Sequence, residues 1–219
     1  MKKNINYFII GSFLLFVLLT VLVLTCDVQK YVVTDSNLGL YSFNQLFRVD
    51  GNKNWDYISD YLLYTSLFLV AILAFNGLYQ LIKFKKFSLI DTKIIAFGVI
   101  IVLMIIVWVL FDKIIIINHR PLKIDGELEG SYPSTHVMVV TFIYLGVISF
   151  LSMKNKNKAF KIAVYSSIIL AILLVSVSRI LSEMHWFTDV IGGIILGLFF
   201  YFVYLKIVYI IESKKNVSK

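Results

Sequence analysis

Charged residues are scarce in this sequence, and so are cysteine, proline and histidine. Of its 219 residues only 16% are charged and 59% are hydrophobic, and the mean hydropathy is +0.86. A chain with so few polar residues cannot cover itself as an ordinary soluble globular protein does, so we place it in a lipid bilayer. The single cysteine, Cys26, excludes an intramolecular disulfide and says little about the redox compartment. We interpret Cys26 as an apolar residue at the membrane interface.

Long apolar runs make up most of the sequence. A helix needs about 20 mostly apolar residues to cross roughly 30 Å of hydrocarbon, and we find six such runs. They cover approximately residues 7–25, 57–82, 94–112, 136–153, 162–180 and 187–211. The connections are too short for a separate soluble domain, and there is no repeat or low-complexity segment. We therefore predict an all-α membrane protein, a bundle of six transmembrane helices that forms one domain over residues 1–219.

The distribution of lysine decides what the formal charge of +8 means. Lysines cluster at alternate ends of successive apolar runs, and the other connections are mainly acidic. By the positive-inside rule the lysine-rich ends are cytoplasmic, which puts both termini in the cytoplasm. The basic charge then reflects topology, and we expect no nucleic-acid partner. The clustered residues are Lys2, Lys3, Lys83, Lys85, Lys86, Lys93, Lys154, Lys156, Lys158, Lys161, Lys214, Lys215 and Lys219.

The connection at about residues 26–56 mixes apolar and polar residues. Its apolar members are Leu38, Leu40, Tyr41, Phe43, Leu46 and Phe47. This pattern predicts an amphipathic helix on the outer face, with Trp55 and Tyr57 as interfacial anchors. Such a helix is either a plain surface element or a lid at the entrance for a lipid.

All three histidines and both prolines fall between Lys113 and Asp189. If the amino terminus is cytoplasmic, the third and fifth runs end at the outer face, and the fourth and sixth begin there. The polar residues of this stretch then meet on one side of the membrane. Each residue alone is more often an interfacial or structural group, but together they predict a phosphate site. They are Lys113, Arg120, Ser134, His136, Arg179, His185 and Asp189.

The residue types in this stretch suit phosphoryl transfer. Lys113, Arg120 and Arg179 supply donors to a tetrahedral anion and balance its charge. His185 and Asp189 are four residues apart and share a helix face, so the carboxylate can orient the imidazole as a nucleophile.

The start of the fourth run supplies the remaining groups of the predicted site. His136 lies on a different helix from His185 and can donate a proton to a leaving alkoxide, then accept one from water. Ser134 and the backbone amides of this helix start can add hydrogen bonds, helped by the helix dipole.

Three motifs in this order resemble the membrane-integrated type 2 phosphatidic acid phosphatases, the PAP2 family, which is related to vanadium haloperoxidases and soluble acid phosphatases. The resemblance covers roughly residues 57–211, with order, spacing and a six-span outline that fit. The motifs are K-x6-R-P from Lys113 to Pro121, P-S-T-H from Pro133 to His136, and S-R-x5-H-x3-D from Ser178 to Asp189.

The resemblance implies a two-step phosphatase that needs no metal or other cofactor. His185 would form a phosphohistidine, Asp189 would orient it, and His136 would protonate the leaving group. The phosphoryl oxygens would be bound by Lys113, Arg120, Ser134 and Arg179. These implied roles agree with those inferred from the residue types.

One position departs from the family pattern, since the usual glycine of the second motif is Thr135. Glycine permits a positive φ or close approach of a backbone amide to phosphate, and a β-branched residue tolerates either poorly. If the site needs only helical φ, the Thr135 hydroxyl can instead add a phosphate donor. We expect Thr135→Gly to retain substantial activity.

Two further features near the motifs are polar. We interpret His119 as a solvent-touched interfacial imidazole, with a proton-carrying role as the alternative. Asp125, Glu127 and Glu129 lack a full calcium-loop pattern, so we predict no metal site and a solvated acidic loop.

The predicted position of the phosphate site favours a lipid substrate. We expect hydrolysis of a lipid phosphate or diphosphate at the extracytoplasmic face of a bacterial plasma membrane. Undecaprenyl diphosphate is slightly preferred over phosphatidylglycerol phosphate and phosphatidate. The expected partners are this lipid and the bilayer, with no obligate protein partner evident.

Two other functions are compatible with the same residues. One is a lipid phosphotransferase that uses the same intermediate. The other is a non-catalytic anion-binding or transport protein. Gly192, Gly193 and Gly197 would serve close helix packing in every case.

Overall fold

A computed structural model describes residues 4–122, 126–151 and 157–217 of the chain. The helices are α1 Asn4–Thr25, α2 Tyr41–Leu46, α3 Lys53–Phe84, α4 Thr92–Val109, α5 Thr135–Val147, α6 Lys158–Leu181 and α7 Phe187–Val217. Strands β1 Gln29–Tyr31 and β2 Ser36–Leu38 form an antiparallel hairpin, Phe87–Leu89 is a 3₁₀ turn, and Leu110–Ile114 is a π turn that continues α4. Lys2, Lys3, Asp125, Lys154, Lys156 and Lys219 lie outside the described residues.

Five of the described helices are long and apolar enough to cross a membrane. They are Asn4–Thr25, Lys53–Phe84, Thr92–Ile114, Lys158–Leu181 and Phe187–Lys214. Their outer surfaces carry exposed large side chains such as Phe68 at 66% and Leu170 at 65%, which lipid rather than water can cover. The prediction of a helical, multi-pass membrane protein is confirmed.

The fourth predicted span is shorter than expected. Helix α5 ends at Val147, and hydrogen bonds from Ser149 N to Gly146 O and from Phe150 N to Val147 O tighten the chain into turns. A helix of 13 residues is about 20 Å long, less than the hydrocarbon thickness. A total of six membrane-spanning helices therefore stays a prediction.

Three helices begin at capping side chains that lie before the apolar runs in the sequence. The Asn52 side chain accepts a hydrogen bond from Asn54 N, so α3 begins at Lys53, before the predicted start at residue 57. Asp91 caps α4 and Asn157 caps α6 in the same way. The earlier start of α3 adds a polar turn to this helix.

Helix α7 packs against α1, α4 and α5, and forms the centre of the bundle. Close packing with α5 depends on small residues, since a Cβ on Gly197 would lie 2.8 Å from the backbone oxygen of Met138. Farther along α7, Tyr204 is fully buried, with its ring edge-on to Phe97 and Phe142.

Contacts at the two ends show that successive helices run in opposite directions. At one end, Lys93 Nζ donates to Ser149 O at 2.8 Å, and the Ser149 hydroxyl bonds to Tyr204. At the other end, Asn52 N donates to Leu181 O, which joins the start of α3 to the end of α6. The lysine-rich helix ends that are described lie at the first of these ends.

The segment between α1 and α3 is only in part the amphipathic helix that the sequence predicts. It forms the hairpin and only the six-residue helix α2. The carboxylate of Asp27 ties the two together, because it accepts hydrogen bonds from Gln29 Nε2 and Ser42 N, both at 2.6 Å. Asn44 donates to Thr188 Oγ1 at 3.1 Å, which fastens this segment to the start of α7.

Candidate active site

A cavity of about 540 Å³ opens at the end of the bundle opposite the lysine-rich helix ends. One part of its wall is polar and is made by Lys113, Arg120, Thr135, His136 and His185. The remainder is largely apolar and comes from α3, α4 and α5, with Leu63, Leu67, Ile105, Trp108 and Val139 among its members. Five of the eight predicted site residues therefore line one cavity.

His185 and Asp189 lie side by side at the inner wall of the cavity. The closest approach is 3.7 Å from His185 Nδ1 to Asp189 Oδ2, which is longer than a hydrogen bond. Asp189 is fully buried and accepts hydrogen bonds from Trp186 N at 2.9 Å and from Asn118 Nδ2 at 3.4 Å. Its carboxylate is thus fixed at the start of α7, close enough to orient the imidazole.

The connection from α6 to α7 presents His185 to the cavity. Its backbone turns at Glu183, where φ is 53°, and His185 N then donates to Arg179 O. Burial lowers the pKa of His185 well below 6.5, and the positive charges of Arg179 and Arg120 lower it further. The imidazole is therefore neutral near pH 7, as a nucleophile must be.

His136 is the second residue of α5 and faces helix α3 as well as the cavity. Its Nε2 lies 3.0 Å from Asp60 Oδ1, a hydrogen bond between side chains that are 23% and 34% exposed. This carboxylate was not among the predicted site residues.

Arg179 lies behind the cavity wall and is only 2% exposed. Its Nη1 donates to Asp56 Oδ1 at 2.5 Å and to Ser59 Oγ at 3.1 Å, both on α3. Its Nε has no hydrogen-bond partner among the residues that the structure describes. The Asp56 carboxylate on α3 therefore balances the charge of the guanidinium, and Arg179 Nε is left free to bind a further acceptor.

The other two cations are also paired with carboxylates. Arg120 Nη2 lies 3.0 Å from Glu129 Oε2, and Lys113 Nζ lies 2.9 Å from Asp112 Oδ2. Lys113 is 70% exposed and Arg120 is 19% exposed. The Glu129 side chain is 39% exposed, but it also lines the cavity and pairs with Arg120, which the predicted solvated acidic loop did not include.

Ser134 and Thr135 stand where α5 begins. Ser134 is fully buried, and its N donates to Asp189 O at 2.9 Å, which joins α5 to α7. Its hydroxyl has no hydrogen-bond partner within the described part of the chain. Thr135 lines the cavity in helical conformation, so this position does not require a positive φ.

His119 stands apart from the cavity lining. Its carbonyl oxygen accepts a hydrogen bond from Trp186 Nε1 at 2.7 Å, which ties the loop before α5 to the start of α7. Burial lowers the pKa of its imidazole.

Four polar residues at the site were missed from the sequence: Asp56, Asp60, Asn118 and Tyr132. Asp60 carried a usable signal, since an ionisable residue near the start of an apolar run is costly unless it has a partner. Asn118 and Tyr132 gave none, because their contacts with Asp189 and Thr20 join distant parts of the chain.

Comparisons with known proteins show similarity in sequence pattern and in fold. The model of the PAP2 superfamily matches residues 113–212. The chain is similar to the crystal structure of a PAP2 type phosphatidylglycerolphosphate phosphatase from Bacillus subtilis, with TM-score 0.62 and 19% identity over 91% of this chain and 95% of that chain. Aquifex aeolicus LpxE is similar at TM-score 0.47 and 20% identity, over 76% of this chain and 94% of that chain. No curated protein sequence matches the chain.

Proposed function

Because residues 113–212 match the model of the PAP2 superfamily, we propose that this protein hydrolyses a lipid phosphate or diphosphate through a phosphohistidine, without a metal ion. The observation that carries the proposal is the two-part wall of the 540 Å³ cavity. Two histidines and two cations lie at its polar part, and apolar side chains of α3, α4 and α5 continue from them. A phosphate can lie against the polar part of the wall while its lipid tail lies along the apolar part.

The phosphoryl group is held by positive charge from three segments. Arg120 and Lys113 line the cavity directly, and Arg179 stands behind His185 with an unused Nε donor in the described structure. Phosphate oxygens can replace Glu129 and Asp112 as partners of the first two cations. Charge on these oxygens is then balanced throughout the transfer.

In the first step, His185 Nε2 attacks phosphorus as the bond to the lipid oxygen breaks. Asp189 faces the other ring nitrogen and stabilises the positive charge that develops on the imidazole. His136 gives its proton to the departing lipid oxygen, so no free alkoxide forms. The products of this step are the lipid alcohol, or its monophosphate, and phosphorylated His185.

In the second step, water attacks the phosphohistidine. His136, now neutral, accepts a proton from the water as its oxygen bonds to phosphorus, and the P–N bond breaks. Inorganic phosphate leaves, and both histidines return to their starting states. General acid–base catalysis of this kind typically contributes about 10²–10⁴-fold in rate.

The substrate class follows from the apolar part of the cavity and from the membrane helices around it. Undecaprenyl diphosphate, phosphatidylglycerol phosphate and phosphatidate all combine a phosphate with an apolar tail. We place the reaction at the extracytoplasmic face of a bacterial plasma membrane, because the site lies opposite the lysine-rich ends.

The test is phosphate release by purified, detergent-solubilised protein from each of these three lipids, in the presence of EDTA. We expect release from at least one lipid, and loss of at least about 10³-fold in His185→Ala, because the nucleophile is removed. His119→Ala is the matched control, since this histidine does not line the cavity. Release equal in wild type and His185→Ala would contradict the proposal, as would loss on addition of EDTA. Phosphate transferred to an alcohol instead of water would identify a phosphotransferase.

A further inference from the structure

The amino-terminal turns of α3 reach the site with three polar side chains, although α3 lies outside the region that matches the PAP2 model. Asp56 and Asp60 are four residues apart and therefore share one face of the helix. Asp56, together with Ser59, holds Arg179, while Asp60 Oδ1 lies 3.0 Å from His136 Nε2. The two carboxylates therefore contact different residues of the proposed mechanism: Asp56 contacts Arg179, and Asp60 contacts His136.

We propose that Asp60 is a positioning residue for His136, and that its carboxylate keeps the His136 imidazole in the tautomer and charge state that proton transfer needs. This inference rests on the proposed phosphatase function. Asp60 itself touches neither the phosphoryl group nor the leaving group.

The hydrogen bond fixes which nitrogen does the chemistry. His136 Nε2 lies 3.0 Å from Asp60 Oδ1, and because an ionised carboxylate can only accept, Nε2 carries the hydrogen and Nδ1 is left for the substrate. In the first step Nδ1–H passes its proton to the leaving lipid oxygen. In the second step Nδ1 takes a proton from water. The proton on Nε2 stays in place through both steps.

The charge of Asp60 matters as much as its geometry. The other charged or titratable groups near His136 are Asp56 on α3, Arg179 on α6, Arg120 in the loop before α5, and His185. Burial opposes protonation of His136 most strongly, the positive charges of Arg179 and Arg120 oppose it further, and phosphate arrives to offset those charges only with the substrate. Asp60 is the carboxylate in direct contact with the ring, so it stabilises the imidazolium that acts as the acid.

Replacing Asp60 by asparagine keeps the shape and removes the charge. The loss of kcat/KM should be larger for substrates whose leaving group needs a proton. A nitrophenolate departs without one, so its release does not depend on the acid. The expected result is a decrease in kcat/KM on the order of 10-fold for hexadecyl phosphate, with a much smaller decrease for a nitrophenyl phosphate that bears the same alkyl tail.

Asp56→Asn provides the matched control, since it makes the same change one turn away on the same helix. Asp56 acts on Arg179, which binds the phosphoryl group common to both probes. Loss of the Asp56 carboxylate should therefore lower kcat/KM for both probes by the same factor. Retention of the detergent-solubilised elution profile identifies variants that fold, and Asp60→Ser replaces Asp60→Asn if the latter does not.

The second readout is the pH profile of kcat/KM, measured on whichever panel lipid the wild type hydrolyses. Without the Asp60 charge the imidazolium is less stable, so the alkaline limb should move to lower pH. Asp60→Glu, which keeps the charge, should restore the limb at least in part. Equal loss for both probes with an unmoved alkaline limb would overturn the inference and leave Asp60 a structural ion pair. Absence of wild-type activity on every lipid would instead contradict the proposed function.

Discussion

His185 occupies surroundings that disfavour a second proton on its ring. It is 5% exposed and lies near Arg179 and Arg120, and both burial and these charges lower its pKa well below 6.5. The proposed nucleophile needs an unprotonated nitrogen, so His185 should remain able to attack phosphorus in mildly acidic conditions.

The acid limb of the kcat/KM profile should therefore lie below pH 6.5, the ordinary pKa of histidine. Phosphate release from a panel lipid, measured from neutral to acidic pH, checks this expectation. A limb at or above this value would show that burial does not suppress protonation of His185. The same shift predicts falling stability as pH drops below 6.5, because the unfolded chain then binds a proton that the folded chain does not.

Local spacing was enough to pair some residues of the site but not others. Separation by four positions brings His185 close to Asp189, but the prediction that both share a helix face is wrong, because His185 lies in the connection before α7, which begins at Phe187. The contact of Asp60 with His136 spans 76 positions and depends on how α3 packs beside α5. The Glu129–Arg120 pair likewise depends on the path of the loop before α5, which the sequence pattern did not determine.

Two elements, α5 and α7, determine how the motif residues meet. Hydrogen bonding of Ser134 N to Asp189 O requires their starts to lie in contact, and Gly193 and Gly197 allow the backbones to approach. The three glycines at 192, 193 and 197 were predicted to serve packing, and a Cβ at any of them would lie within 3.0 Å of a neighbouring atom. Apolar length predicted the helices themselves, but not the early end of α5, where turns replace the helix after Val147.

Gly197→Ala should destabilise the protein, because the added Cβ would meet Met138 O and the Thr141 side chain, both at 2.8 Å. Overpacking of this kind costs about 1–3 kcal/mol and should lower Tm in detergent. The control is Gly98→Ala in α4, where the built Cβ has no atom within 4 Å among the described residues, and where alanine favours helix. An equal Tm for the two variants would contradict the packing role of Gly197.

The whole bundle places the candidate site and the lysine-rich helix ends on opposite faces. This placement on opposite faces was easier to predict than the number of membrane-spanning helices or the structure of the segment between α1 and α3. Both of the latter depend on contacts that the apolar runs do not encode. The hairpin after α1, for example, is held by Asp27 and by the contact of Tyr31 with Trp186, whose ring centroids are 4.9 Å apart. Lysine bias, by contrast, depends only on position along the chain.

The site should face the outside of the cell, and cysteine labelling can test this orientation. In a Cys26→Ser background, Val32→Cys lies on the site side and Phe87→Cys on the lysine-rich side, at positions that are 87% and 65% exposed. A membrane-impermeant maleimide should label Val32→Cys in intact bacterial cells, and Phe87→Cys only after permeabilisation. The reverse pattern would place the site in the cytoplasm.

Trapping the covalent intermediate tests the proposed chemistry most directly. Wild-type protein is mixed with a panel lipid that carries labelled phosphate, stopped in alkaline denaturant within one turnover, and mapped by mass spectrometry. We predict phosphate on His185, formed at least as fast as inorganic phosphate is released, and none in His185→Ala. Release of inorganic phosphate with no phosphorylated histidine at any time, or with the phosphate on a different residue, would contradict a phosphohistidine mechanism at His185.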